Sequence, residues 1–207
     1  MGKGGLAGRA GRGSFAGAER HCAGDGYAAA VIPVCCAGPG ATQRLIAGTS
    51  VAIASCYNPI RLAEDAIAAD LLSGGRFVLG IGTGYRPEEF AGMAVAADTD
   101  EARLDEVAEI LEKAFTGLPF SHRGRFYDIP ELTINPAPFT RGGPPRMLAC
   151  DGAIDRHPER AAQRAMRYLL DPSRPLAEVS RLAALPGARS TRCGEADLLL
   201  VPDGFGS

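Results

Sequence analysis

The sequence predicts an α/β fold with parallel strands, on three observations. Short unbroken apolar runs such as Phe77-Val78-Leu79-Gly80-Ile81 have the pattern of strands covered on both faces. Between these runs lie segments with apolar residues at helical spacing, and that alternation builds βα units with a parallel sheet. Gly82-Thr83-Gly84 follows one such strand directly and leads into Pro87-Glu88-Glu89, a favourable first helical turn. Glycines at the carboxyl end of a buried strand sit where parallel α/β proteins place ligands.

The bulk numbers narrow the class. A chain of 207 residues with 46% apolar content supports one domain with a sizeable core. A formal charge of −2 and a pI near 5.9 give no electrostatic reason to expect nucleic acid or an anionic membrane. No run approaches the roughly 18 apolar residues of a spanning helix. The six cysteines show no CxxC pair and no metal-ligand spacing, and no signal peptide precedes them. Reduced, mostly buried thiols and a cytoplasmic setting follow as expectations.

Residues 1–20 hold seven glycines and four alanines, too little apolar surface to offset ordering entropy. Residues 1–40 are therefore expected to be disordered or poorly folded. Tyr27–Cys36 is a strand candidate, although Pro33 argues against a central one. Thr49–Ser55 is a clearer strand. Asn58-Pro59 then gives an N-cap and a proline at the first helical position, so a helix is expected over 59–72. Its apolar face is read as Ile60, Ala63, Ile67 and Leu71, and Ser73-Gly74-Gly75 stops it.

Glu101–Phe115 is the clearest helix, with Leu104, Val107, Ala108, Leu111 and Phe115 in one stripe. Asp105, Glu106, Glu109 and Glu112 read as its solvated face. Phe120–Ile129 has the form of a short hairpin with Arg123-Gly124 at the turn, and residues 130–145 are a proline-rich connection. Arg146–Cys150 is a further buried strand, and Pro158–Leu170 a further helix with Arg160, Arg164 and Arg167 outward. A helix at 176–185 and an apolar run at Leu198–Val201 close the chain. The three histidines, His21, His122 and His157, read as surface or capping residues, since none has a partner at a spacing that marks a catalytic dyad.

Three places can carry chemistry, all at strand ends: Ala54–Asn58, Gly82–Tyr85 and Cys150–Gly152. Gly82 and Gly84 do not complete the G-x-G-x-x-G dinucleotide fingerprint, because Pro87 occupies the last glycine position. A methyltransferase reading of VLGIGTG needs an aspartate where Gly80 stands, and an acid-terminated strand where residues 95–115 are helical in pattern.

NPIRLAEDAIAADLLSGGRFVLGIGTGYRPEEF, then ARLDEVAEILEKAFTG, then SHRGRFYDIP, resemble the luciferase-like monooxygenases, flavin- or deazaflavin-dependent oxidoreductases of the bacterial luciferase type. The resemblance runs from about Leu45 to Leu170. It implies a (β/α)8 barrel of the TIM type, incomplete here, over residues 41–207, binding FMN or coenzyme F420 at the strand carboxyl ends. The cofactor would carry hydride or oxygen chemistry on a small organic substrate. Carried over by position, Ala54, Ser55 and Cys56 would lie beside the cofactor ring, where the family often has a strained peptide bond. Gly82, Thr83 and Gly84 would lie near the ring or ribityl chain, and Asp151 and Gly152 where the family binds phosphate.

The hairpin and the G-T-G-Y-R-P-E-E-F run look like the F420-using members. The resemblance also implies a strand ending in an acid or histidine around 31–36, where this chain reads Val31-Ile32-Pro33-Val34-Cys35-Cys36, and a family strand at Arg167–Leu170. The competing expectation is a non-catalytic remnant or interaction domain, whose bare strand edges would favour pairing with another chain, including a homo-oligomer.

Overall fold

A computed structural model of the chain describes residues 14–150 and 167–170. Its centre is a sheet of parallel strands. β1 (Ser14–Gly17), β2 (Ile46–Thr49), β4 (Phe77–Gly82), β7 (Arg146–Cys150) and β8 (Arg167–Leu170) lie side by side, and the short β3 (Ala52–Ile53) pairs with the far end of β4. Spatial order follows chain order with no reversal. That is the winding of a barrel, whereas a doubly wound sheet reverses direction at a switch point.

Three helices cover one face: α1 (Val31–Ala41), α2 (Pro59–Ser73) and α4 (Asp100–Ala114). Phe77, Leu79 and Ile81 of β4 join the core formed with Leu62, Ile67, Val107, Ile110, Leu111 and Phe115. By the two-residue period of a strand, Val78, Gly80 and Gly82 turn to the opposite face. There they oppose Met147 and Ala149 of β7, whose neighbour Leu148 packs with the helices.

The register shows a bulge between β2 and β3. Gly48 is opposite Val78 and Ala52 opposite Ile81, so this side carries one residue more than β4. The Ser50–Val51 peptide inside the bulge is cis. The bulge presses the Thr49 carbonyl toward β4, and a Cβ at position 80 would lie 2.0 Å from that oxygen. Glycine at 80 is a steric requirement, which also removes the space for the aspartate of the methyltransferase reading.

Several local expectations are met. Asn58 Oδ1 accepts from the amides of Ile60 and Arg61, and Gly74 ends α2 at φ 60°. α3 (Pro87–Gly92) starts at its proline, and β5 (Phe120–Arg123) pairs with β6 (Asp128–Leu132) as an antiparallel hairpin.

Others are corrected. Part of the segment expected to be poorly folded carries β1 and α1, and residues 1–13 lie outside the described range. The strand expected over Tyr27–Cys36 is not formed: Val31 to Cys36 start α1, and 27–30 lead into it without regular structure. Pro33 falls in its first turn, where a missing N–H leaves no helical bond unmade. On α2 the buried face is Leu62, Ala63, Ala66, Ile67 and Asp70, while Leu71 is exposed. The anchor is polar: Asp70 accepts from the amide and hydroxyl of Thr140 at 2.7 and 2.8 Å. Arg167–Leu170, read from periodicity as a helix end, is a strand in register with Met147–Cys150, because pairing to an existing parallel edge outweighs helix propensity. It stands where the resemblance implied a strand. The helix starting at Pro158, the helix at 176–185 and the run Leu198–Val201 otherwise lie outside the described residues.

Candidate functional site

Every strand-end segment singled out in the sequence that is described here lies at the same edge of the sheet. β3 runs into a 3-10 turn, Ala54–Cys56, and Ser55 Oγ donates to the Thr83 carbonyl at 2.5 Å. That bond ties the turn to the Gly82–Gly84 loop. Gly84 has φ +78°, and a Cβ there would lie 2.6 Å from Ile53 Cγ2. At Gly82 a Cβ would lie 2.8 Å from Val51 Cγ2 and 3.5 Å from Ala149 Cβ. Close packing of neighbouring loops therefore accounts for both glycines.

The six described candidates divide by exposure. Ala54, Ser55 and Gly82 are buried behind the surface, whereas Cys56, Thr83 and Gly84 are partly exposed. Burial pushes the Cys56 thiol up from its ordinary value, so it is a poor nucleophile at neutral pH. Asp151 and Gly152 lie outside the described residues; the paired strands place Cys150, just before them, at the same carboxyl edge.

The sequence reading missed the polar centre of this edge. β1 leads into Glu19 and His21, both buried, at the end of a segment expected to be unstructured. Glu19 Oε1 accepts from the Ile53 amide at 2.5 Å and Oε2 from the Tyr57 hydroxyl at 2.6 Å. His21 Nε2 lies 3.4 Å from Glu19 Oε1, and the His21 amide donates to Glu89 Oε1 of α3 at 2.9 Å. Yet His21 Nε2 is buried and makes no hydrogen bond among the described residues. Leaving such a group unpaired costs about 1–3 kcal/mol, so it is a place where a bound molecule has something to supply.

An acid and a histidine, Glu19 and His21, thus follow β1, whereas 31–36, where the resemblance put a strand ending in an acid or histidine, begins α1. The available signal was the pair Glu19 and His21 after the apolar Phe15-Ala16, hidden by the glycines around it.

A second correction concerns Glu106 and His122. Glu106, expected in solvent, is buried and accepts from the amides of Arg125, Phe126 and Tyr127 at 3.1, 3.0 and 2.8 Å. His122 Nε2, also buried, lies 3.1 Å from Glu106 Oε1. This carboxylate shapes the hairpin turn, and the turn reaches the site. Tyr127 Oη donates to the Tyr57 carbonyl at 3.2 Å, while Arg103 stacks over Phe126 at 4.6 Å. His157 lies outside the described residues.

Barrel-type winding defines a protein of the barrel class, and the buried polar cluster lies at the strand carboxyl edge, the usual position of a site in that fold. The family model for luciferase-like monooxygenases matches residues 6–197, and the chain belongs to that family. An alkanal monooxygenase beta chain of Photorhabdus laumondii is 30% identical over 130 residues, covering 63% of this chain and 40% of the relative. The oxygenase component of a flavin-dependent trigonelline monooxygenase from Acinetobacter baylyi is 31% identical over 110 residues, covering 52% and 30%.

Among solved structures, the monooxygenase RslO1 of Streptomyces bottropensis superposes with a TM-score of 0.76 at 22% identity, covering 82% of this chain and 52% of its own. The oxygenating constituent of 3,6-diketocamphane monooxygenase of Pseudomonas putida, solved with FMN, gives 0.66 at 20% identity, covering 76% and 47%. These likenesses establish the fold. The chain spans at most two-fifths of the length of the two curated relatives and about half that of the two structures. No helix among the described residues is long and apolar enough to cross a membrane.

Proposed function

We propose that this chain supplies the cofactor-binding edge of a luciferase-like oxidoreductase that takes FMN or the deazaflavin F420 and acts on a small organic substrate by hydride transfer or monooxygenation. The observation that carries the reading is the buried Nε2 of His21, beside Glu19 but without a hydrogen bond among the described residues, at the edge where the β1, β3 and β4 ends are tied together. FMN is supported by the flavin-dependent relative and the FMN complex named above. F420 is supported by the look of the hairpin and the G-T-G-Y-R-P-E-E-F run.

A flavin-type ring is flat, largely apolar and edged with hydrogen-bond acceptors, and the residues present fit that chemistry. Ile53 and Phe90 are buried apolar neighbours of Gly84, and His21 offers an unmatched ring nitrogen. Cys56, Thr83 and Gly84, partly exposed, would face the cofactor, with Ala54, Ser55 and Gly82 holding them from behind. Asp151 and Gly152 keep their proposed place near its phosphate. When bound, such a cofactor supplies the hydride or oxygen chemistry. The protein's own part is to orient and to exclude water: Ser55 fixes the Thr83 carbonyl, Glu89 fixes the His21 main chain, and Tyr127 closes the Tyr57 side.

Cys22, Cys35, Cys36 and Cys56 are free thiols, which accords with a cytoplasmic setting. Titration of the purified chain with FMN, and separately with oxidised and reduced F420, tests the reading. Saturable binding of one of them, weakened at least about tenfold (about 1.4 kcal/mol) by His21→Ala, is expected. Absence of binding by all three at concentrations on the order of 50 micromolar removes the oxidoreductase reading and leaves a non-catalytic domain of the same fold.

A further inference from the structure

Tyr57 lies within the Ala54–Asn58 strand end singled out for chemistry, where it had no role of its own, and its hydroxyl is the hinge of the buried polar cluster. It is a half-buried phenol immediately before the α2 cap, held at its carbonyl by Tyr127 and donating from its hydroxyl to Glu19 Oε2. The side chain of Glu19 is fully buried, with the Ile53 amide on its other oxygen. Both oxygens thus act as acceptors, the role of a carboxylate. Around His21 the charged groups are Glu19, beside the ring, and Glu89, on the main-chain amide; Arg20 is turned to Asp25 and Tyr27. The charged group beside the imidazole, Glu19, is an acceptor.

We propose that Tyr57 is a positioning residue of the site: by holding Glu19 Oε2 it keeps Oε1 beside His21 Nε2, so that the imidazole carries its hydrogen on Nε2 and presents a donor to an acceptor oxygen or nitrogen of the bound molecule. This rests on the site reading given above. A donor at Nε2 also answers why that nitrogen has no hydrogen-bond partner: at 3.4 Å from Oε1 the carboxylate selects the tautomer electrostatically, while the N–H is left for the ligand. Burial, with Glu19 as the second cause, pushes the Tyr57 hydroxyl well above its ordinary value, so the phenol stays a donor throughout the neutral range. Without that donor Glu19 Oε2 is an unsatisfied buried acceptor, and the carboxylate has reason to rotate away from the ring.

The test is the tautomer itself. Ring 15N shifts of histidine-labelled protein without cofactor, assigned by comparison with His21→Gln, report which nitrogen of His21 carries the hydrogen at a pH where the ring is neutral. The expected result is Nε2–H dominating in the unaltered protein, with the share of Nδ1–H rising at least about threefold in Tyr57→Phe and further in Glu19→Gln. Unchanged tautomer populations in a folded Tyr57→Phe overturn the proposal, as does an unaltered protein in the Nδ1–H form. Should Tyr57→Phe fail to fold, Glu19→Gln, which keeps the size of the side chain, decides alone.

With cofactor present, Tyr57→Phe is expected to lower turnover more than it raises KM, the sign of lost positioning. Failure of FMN and F420 to bind would sink the oxidoreductase reading while leaving the tautomer result standing. Tautomers that ignore Tyr57 in a protein that binds its cofactor would sink only the role given to Tyr57.

Discussion

A single absent methyl group decides how two strands of this protein fit. At Gly80 the opposing Thr49 carbonyl occupies the space where a Cβ would stand, 2.0 Å away, and Thr49 Oγ1 donates to the Gly80 carbonyl at 2.6 Å. The close contact is backbone against backbone, so no side chain can swing aside to relieve it. Gly80→Ala is expected to destabilise the chain by about 3 kcal/mol or more. Urea unfolding measures it, and a change within about 0.5 kcal/mol, the size of an inert surface substitution, would show that the bulge does not press on β4. The sequence offers Gly80 only as one glycine within an apolar run. Its reason lies in a residue thirty-one positions away in the chain, and nothing local announces it.

The elements differ in how far their own residues determine them. α2 is written in its sequence: Asn58 caps it, Pro59 opens it and Gly74 closes it. Its cap alone is worth about 1 kcal/mol, the expected loss for Asn58→Ala. The β5–β6 hairpin depends on a partner in another element. Glu106 satisfies three successive turn amides and faces His122, so Glu106→Ala leaves several buried groups unmatched. A loss of about 3 kcal/mol is expected, with amide exchange at 125–127 accelerated at least about tenfold. Exchange at those amides no faster than in the unaltered protein would mean that the turn holds its own shape. Glu106 was read as solvated because it lies beside Asp105 and near Glu109 on a charged helix. Period alone cannot tell a solvent-facing carboxylate from one covered by a hairpin folded back over it.

At the scale of the whole molecule, burial of weak acids sets an alkaline limit. Burial pushes the Cys35 thiol up to about 12, and Cys36, Cys56, Tyr57 and Tyr127 are also raised, in each case chiefly by desolvation. A raised folded-state value means that the folded chain holds its proton after the unfolded chain has released it. The contribution is complete below the unfolded value, near 9 for a thiol, and is lost as pH rises from there toward about 12. Between pH 9 and 10.5 the Cys35 contribution falls by roughly 2 kcal/mol. Thermal unfolding should show a decline in this window that Cys35→Ala makes shallower. A decline of the same slope in the variant would place its origin elsewhere.

By itself the sequence determined the α/β class, the parallel strands at 77–82 and 146–150, helices α2 and α4, the hairpin and the membership of the luciferase-like family. The elements follow from periodicity, caps and turn residues, which act over a few positions, whereas the family follows from the resemblance of the motifs at 58–90, 102–117 and 121–130. It also marked the edge at which Ser55 and Thr83 meet. Only the tertiary structure decided the bulge against Gly80, the strand at Arg167–Leu170 and the polar cluster of Glu19, His21 and Tyr57. In each of these the partner lies far along the chain: Glu19 is thirty-eight residues from Tyr57. A carboxylate, an imidazole and a phenol acquire a shared role through burial and hydrogen bonding in three dimensions, and neither is written in local spacing.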